Sequence, residues 1–335
     1  MSKSVSRDHP TAHNNHGLSV ELYEMLYLAR ASEEYIIKHY SDDDMKTPMH
    51  MSMGQEAIPV GVCHALGQEN QICTSYRTHA AFLAKTRDTD KFFGEIYGKV
   101  TGTAAGKAGS MHLSNPDKGH MAASAIVASV LPPAIGLAFA NKAAGNGRIS
   151  CVFFGDGAMD EGSFWESLNV ASLMRLPVLF VCEDNGLAVH TPSNARQGYR
   201  SIIEQVKGFE CAVLHDDTTD VERVYDLTKE AMNIIHDTPK PVFLHLKCYR
   251  YLEHVGISED FDAGYRSRSE YKEWLKRDCV SLQRERLIEQ GLSAEEVQRI
   301  ESRTEEKIRN SIQLAQDAPF PQPQELYKGV FHEGA

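Results

Sequence analysis

Ile149-Ser-Cys-Val-Phe-Phe-Gly-Asp-Gly157 and Val178-Leu-Phe-Val-Cys-Glu-Asp-Asn-Gly186 decide the fold of this 335-residue chain. Each begins as a short apolar run rich in β-forming residues and breaks at acidic residues and glycine, the pattern of a buried parallel strand. Between them Phe164, Leu168 and Ala171 recur at helical spacing, which predicts a helix from about Glu161 to Met174. Pro177 then opens the second run. Strand, helix and strand in this order make a right-handed βαβ unit. A helix over Val221–His236 and a strand over Val242–Leu246 continue the alternation, so the fold class is α/β, a parallel sheet flanked by helices.

Outward from this centre the signals weaken. Ser19 to about Tyr40 reads as a helix capped by Ser19, with Leu22, Met25, Leu26 and Ala29 on one face. Gln55 to Leu66 reads as a second, more buried helix, and Gly94 to Gly119 as a long loop of the kind that usually serves function. Met121 to Asn141 carries no charge and is long enough to span a bilayer, but Pro132-Pro133 and the many Ala and Ser residues argue for a buried loop and core helix. After Gly264 charges dominate. Leu292 precedes a Ser293–Glu296 capping box, and Val297, Ile300, Ile308 and Ile312 mark the stripe of a long helix that ends before Pro319, Pro321 and Pro323. The expected organisation is a flexible tail over 1–17, an α/β domain over 18–264, a helical appendage over 265–318 and a Pro-rich tail over 319–335.

Composition excludes several classes. Thirty-five basic against forty-six acidic side chains give a net charge of −11, which repels a phosphate backbone and argues against nucleic-acid binding. The seven cysteines are scattered with no Cys-x-x-Cys pair, against both a disulfide framework and a structural zinc. Met1 to Gly17 lacks the apolar core of a secretion signal, so a cytoplasmic protein with no membrane association is expected.

The βαβ unit sets Asp156 just past the carboxyl end of one strand and Asn185 just past the end of the next. Ligands of open α/β sheets bind at that edge. A carboxylate and an amide oxygen are hard ligands suited to Mg²⁺, which takes its remaining ligands from phosphate and water. The glycines beside Asp156 admit a phosphate to the backbone, and the following helix offers free N–H groups. Gly-Asp-Gly and Asn-Gly are each common in turns. Their joint placement, one helix apart, implies a diphosphate held through a divalent cation.

Gly155-Asp156-Gly157-Ala158 followed by Glu183-Asp184-Asn185-Gly186 resembles the thiamine diphosphate motif. His50-Met-Ser-Met-Gly54-Gln55-Glu56-Ala57, Ser75-Tyr76-Arg77-Thr78-His79, Gly109-Ser110-Met111-His112 and Tyr249-Arg250-Tyr251 with His254 follow the order found in the α subunit of the thiamine-dependent first component of 2-oxo acid dehydrogenases. The chain resembles that family, whose members include pyruvate, branched-chain and acetoin dehydrogenases, over roughly residues 18–316. The resemblance implies the thiamine diphosphate-binding fold, with thiamine diphosphate and Mg²⁺ as cofactors. It implies metal ligation by Asp156, Asn185 and the Leu187 carbonyl. Gly155, Gly157 and Ala158 are then backbone contacts to the diphosphate, Tyr76 and Arg77 hold its terminal phosphate, and the backbone of Ala125 and Val127 lines the aminopyrimidine. His50 and His254 face the reacting carbon, and His254 also touches the cofactor.

The implied reaction is decarboxylation of a small 2-oxo acid, or cleavage of acetoin, followed by acyl transfer to a lipoyl arm or another acceptor. The glutamate that activates the pyrimidine belongs to a β subunit in this family, so an α2β2 heterotetramer, possible partnership with a lipoyl acyltransferase, and inactivity of the isolated chain are implied. Two alternatives stand beside this: a transketolase-like or stand-alone thiamine enzyme with a non-lipoyl acceptor, and a non-catalytic diphosphate-binding assembly subunit. The sequence departs from the family pattern at Asp184, where asparagine is commoner, at Ala125, where glycine is common, and at Val255, where regulated relatives carry serine. The acidic loop His254–Gly264 departs as well, which bears on the choice of substrate and acyl acceptor.

Overall fold

The computed structural model describes residues 16–329. Residues 1–15 of the expected N-terminal tail and 330–335 of the C-terminal tail lie outside the described residues. Helices α1 (His16–His39), α2 (Ala57–Leu66), α3 (His79–Thr86), α4 (Thr89–Ile96), α5 (Leu131–Ala144), α6 (Gly162–Met174), α7 (Ile202–Val206), α8 (Val221–Asp237), α9 (Arg268–Leu275), α10 (Cys279–Glu289) and α11 (Ala294–Asp317) surround the strands. Six strands, β1 (Gln71–Ser75), β2 (His120–Ser124), β3 (Ser150–Gly155), β4 (Val178–Asp184), β7 (Ala212–Asp216) and β8 (Val242–Lys247), form one sheet in the order β2-β1-β3-β4-β8-β7, and every pairing is parallel. A two-residue hairpin, β5 (Leu187–Ala188) and β6 (Thr191–Pro192), stands apart. The α/β reading is met.

The period of the strands sorts the core. From β3, Cys151 and Phe153 enter one apolar cluster and Val152 and Phe154 the other; from β4, Leu179 and Val181 oppose Val178, Phe180 and Cys182. The first cluster gathers α1, α2, α8, α10 and the start of α11, the second α5 and α6. Both central strands are buried on both faces, which is why they read as continuous apolar runs.

Several sequence expectations change. Ser19 does not cap α1: it lies inside the helix, buried, and its hydroxyl donates to Glu222 Oε1 at 2.6 Å. The charge-free stretch holds strand β2, a turn, and α5, whose Pro132 and Pro133 occupy the first turn where their missing N–H groups cost nothing. Only one face of α5 is buried; Phe139 is 51% exposed. The expected loop over 94–119 begins later, since α4 runs through Ile96, and it ends in two single 3-10 turns. The capping box at Ser293 and Glu296 forms as read. Helix α11 shares the core: Val297 and Ile300 join the first apolar cluster, and Ile308, Ile312 and Ala315 join a third with α1 and α4. All seven cysteines are free, and no described helix is long and apolar enough to cross a membrane.

Candidate active site

Register and topology place the site. Parallel pairing puts Gly155 opposite Glu183, so the residues that follow them leave adjacent strands side by side. Tyr76 and Arg77 follow β1, Ala125 and Val127 follow β2, Asp156 follows β3, Asn185 follows β4, and Arg250 comes shortly after β8. Five neighbouring strands thus deliver their exits to one edge of the sheet. A cleft of about 240 Å³ opens there. Of the residues expected from sequence, Tyr76, Arg77, Val127, Gly155, Gly157, Ala158, Asn185, Leu187 and His254 line it. Asp156 and His50 lie behind that lining, and Ala125 is not part of it.

Asp156 is fully buried. Its Oδ2 accepts from Arg196 Nη2, while Oδ1 is buried with no hydrogen-bond partner among the described residues. Burial pushes the carboxyl up to about 6, the Asp184 charge adds to this, and Arg196 opposes it. Sequence reading missed Arg196, which also binds Asp160 through Nη1; nothing at residue 196 points to a carboxylate 40 positions earlier. Asn185 donates its amide nitrogen to Gln55 Oε1 at 3.1 Å, and its Oδ1 accepts from Leu187 N at 3.1 Å. That orients the amide oxygen and leaves it a further lone pair. Asp184 turns the other way, accepting from His245 Nε2 at 2.7 Å, from Lys247 and from Gly186 N. Burial would raise its pKa, but the His245 and Lys247 hydrogen bonds and charge bring it down to about 2. The hairpin packs so closely on the 3-10 turn after β3 that a Cβ at Gly157 would meet Ala188 Cβ at 3.0 Å. Gly54, at φ +91°, closes against Tyr249, whose carbonyl would lie 2.3 Å from any Cβ there.

A buried anionic oxygen and an oriented amide oxygen on the exits of adjacent strands fit a hard divalent cation. The expected set contains one carboxylate only, and among the described residues no group of three or more His, Cys, Asp or Glu side chains is placed to hold a metal.

Three rings gather at the other end. His50 stands 4.6 Å from Tyr76 and 5.3 Å from His254 between centroids, and Tyr76 stands 5.6 Å from His254. Burial, with the Arg77 charge behind it, lowers His50 to about 3 and His254 to about 4. Both imidazoles are therefore neutral at physiological pH. Arg77 donates to Met51 O at 2.5 Å and His254 O at 3.2 Å, which ties together the two loops that carry these histidines. Glu183, 7% exposed and lining the cleft with Arg77, is pushed by burial up to about 8.

The sequence profile of the family described as "Dehydrogenase E1 component" matches residues 23–324. The chain belongs to the dehydrogenase E1 component family. It is similar to the α subunit of acetoin:2,6-dichlorophenolindophenol oxidoreductase from Cupriavidus necator (32% identity over 312 residues, 92% of this chain and 93% of the relative) and from Bacillus subtilis (30% over 311 residues, 92% of each). It is also similar to the pyruvate dehydrogenase E1 component subunit alpha of Rickettsia bellii, at 29% identity over 313 residues, 93% of this chain and 95% of the relative. The family resemblance read from the motifs is met over nearly the whole E1 chain.

Proposed function

We propose that this E1 chain is the α subunit of a thiamine diphosphate- and Mg²⁺-dependent enzyme that cleaves a small 2-oxo acid, or acetoin, and passes on the acyl group. One observation carries the reading: the buried, half-partnered carboxylate of Asp156 lies at the sheet edge where five strand exits converge. Asp156, Asn185 and the Leu187 carbonyl hold Mg²⁺. Tyr76 and Arg77 bind the terminal phosphate, the Arg77 guanidinium as a charge-assisted donor. Gly155, Gly157 and Ala158 present backbone to the diphosphate, and Ala125 and Val127 form the wall for the aminopyrimidine. When bound, thiamine diphosphate supplies the electron sink that lets the bond next to the carbonyl break.

The chain's own part is to bind, orient and move protons. His254 and His50, neutral at working pH, donate an N–H to oxygen as charge develops on it. Their depressed pKa values keep two positive charges out of a site already holding Arg77. The binding unit is residues 18–264, with 265–318 as its helical appendage. A β subunit, in an α2β2 assembly, completes the site, a lipoyl acyltransferase accepts the acyl group, and the enzyme works in the cytoplasm. The relatives' designations as α subunits, of acetoin and pyruvate enzymes alike, support an enzymatic role over a purely structural one. Calorimetry of the chain purified with its β partner tests this: Mg²⁺-dependent binding of thiamine diphosphate, followed by turnover of one member of a 2-oxo acid and acetoin panel, is the expected result. Absence of metal-dependent binding would overturn it.

A further inference from the structure

Two guanidinium groups line the cleft, and neither donates a hydrogen bond to a carboxylate. Arg77 is held by two main-chain carbonyls. Arg250 is 2% exposed, follows β8, and was read from sequence only as part of a motif. Its Nη2 donates to Tyr265 Oη at 2.9 Å and to Val189 O at 3.4 Å, while Nη1 is buried with no hydrogen-bond partner among the described residues. The carboxylate nearest to it, Asp260, is occupied elsewhere: it accepts from Arg266 Nε at 2.6 Å and from the Tyr265 hydroxyl, and stands 3.9 Å from Arg250. Burial and the repulsion of Arg77 and Arg266 bring Arg250 down to about 9, the direction of a cation that lacks its anion.

Two like charges buried in the lining of one cleft are unfavourable unless a ligand carrying negative charge comes between them. Both belong to the cleft assigned above to the diphosphate. We propose that Arg250 is a second guanidinium anchor for the terminal phosphate of the cofactor, offering its free Nη1 beside Arg77. This rests on the diphosphate reading of the cleft and adds to it a residue that Asp156, Asn185 and Arg77 do not predict. A terminal phosphate carries enough charge and enough acceptor oxygens for both forks.

The test compares thiamine diphosphate with thiamine monophosphate, which lacks the terminal group, on the complex with the β partner. Calorimetry in Mg²⁺ is run on the wild type, Arg250→Gln, Arg250→Lys and Tyr265→Phe. Arg250→Gln should weaken thiamine diphosphate by at least about tenfold and leave thiamine monophosphate within about twofold, as expected for one charge-assisted bond to one group. Arg250→Lys keeps the charge, and with it the fold, and should lose an intermediate amount with the same selectivity. Tyr265→Phe removes a bond that holds Arg250 but no phosphate donor, and should leave the ratio of the two affinities unchanged. Equal loss on both ligands in the Arg250 variants would overturn the proposal in favour of a purely structural role. A raised KM for the acyl donor with unchanged cofactor affinity would overturn it in favour of the substrate carboxylate. A wild-type complex that binds no thiamine diphosphate would instead sink the functional reading beneath it.

Discussion

Asp156 keeps one oxygen on Arg196 and leaves the other without a partner among the described residues, and that asymmetry sets what the residue can do. Asp156→Asn keeps the shape and removes the charge that a divalent cation needs. It should weaken Mg²⁺-dependent thiamine diphosphate binding by roughly 100-fold or more, measured by calorimetry on the complex, since even residues outside a metal's own ligand set commonly shift affinity 10- to 100-fold. Glu183 gives a second prediction, about stability. Its folded pKa is raised to about 8 by burial, against roughly 4.3 in an unfolded chain. The folded state therefore holds a proton that the unfolded state releases, so this group disfavours folding increasingly as pH climbs from the unfolded value to the folded one. Glu183→Gln removes that dependence. In denaturant unfolding of the ligand-free chain, the variant should exceed the wild type by about 2–4 kcal/mol at pH 7, with the gap closing toward pH 5. A gap that does not change with pH would contradict it. At this scale Asp156 and Asn185 were legible because each follows the end of an apolar strand, whereas Tyr76, Arg77, His50 and His254 came from the family resemblance. Arg196 and the free nitrogen of Arg250 were not, because their meaning lies in partners brought close only by folding.

Elements were legible where burial was complete. β3 and β4 announce themselves as apolar runs, and β8 as one interrupted by His245, because helices cover both sheet faces. β1, Gln71-Ile-Cys-Thr-Ser75, has two apolar residues in five, and β2, His120-Met-Ala-Ala-Ser124, is built mostly of small and polar ones; β7 is a half-buried edge strand. Their pairing comes from the neighbouring strand rather than from local pattern, and no periodicity exposes it. The loop after α4 is likewise organised by one distant side chain. The buried carboxylate of Glu95 accepts from the backbone N–H groups of Ala104 (2.8 Å), Gly106 (3.1 Å), Ala108 (2.6 Å) and Gly109 (3.0 Å). Glu95→Ala leaves those donors without their acceptor and should destabilise the chain by about 3 kcal/mol, since hydrogen bonds to a charged group are worth roughly 1.5–3 kcal/mol each and do not add fully. Hydrogen exchange at 104–109 should accelerate well beyond exchange in the sheet. Protection unchanged in that segment would mean the loop is held by something else.

For the whole molecule the question is what completes the cleft. Val127, 42% exposed, lines it, and the preceding Ile126 is 71% exposed, where an enclosed active site needs a wall. A partner subunit supplies it in the function proposed here. The chain purified alone should show no detectable turnover of 2-oxo acids or acetoin in a dye-reduction assay, and co-expression with its β partner should restore it. Full activity of the chain alone would refute the dependence. Ile126→Asp, which sets a charge at that exposed position, should reduce co-purification with the partner at least about tenfold while leaving the chain's own thermal unfolding within a few degrees. The direct test of the whole account is a crystal structure of the complex grown with thiamine diphosphate and Mn²⁺ in place of Mg²⁺, with the metal located by its anomalous signal. The account predicts a single peak at about 2.1–2.2 Å from Asp156 Oδ1, Asn185 Oδ1 and the Leu187 carbonyl, bridged to the diphosphate. A diphosphate bound without metal at those oxygens, or a peak elsewhere, would contradict it.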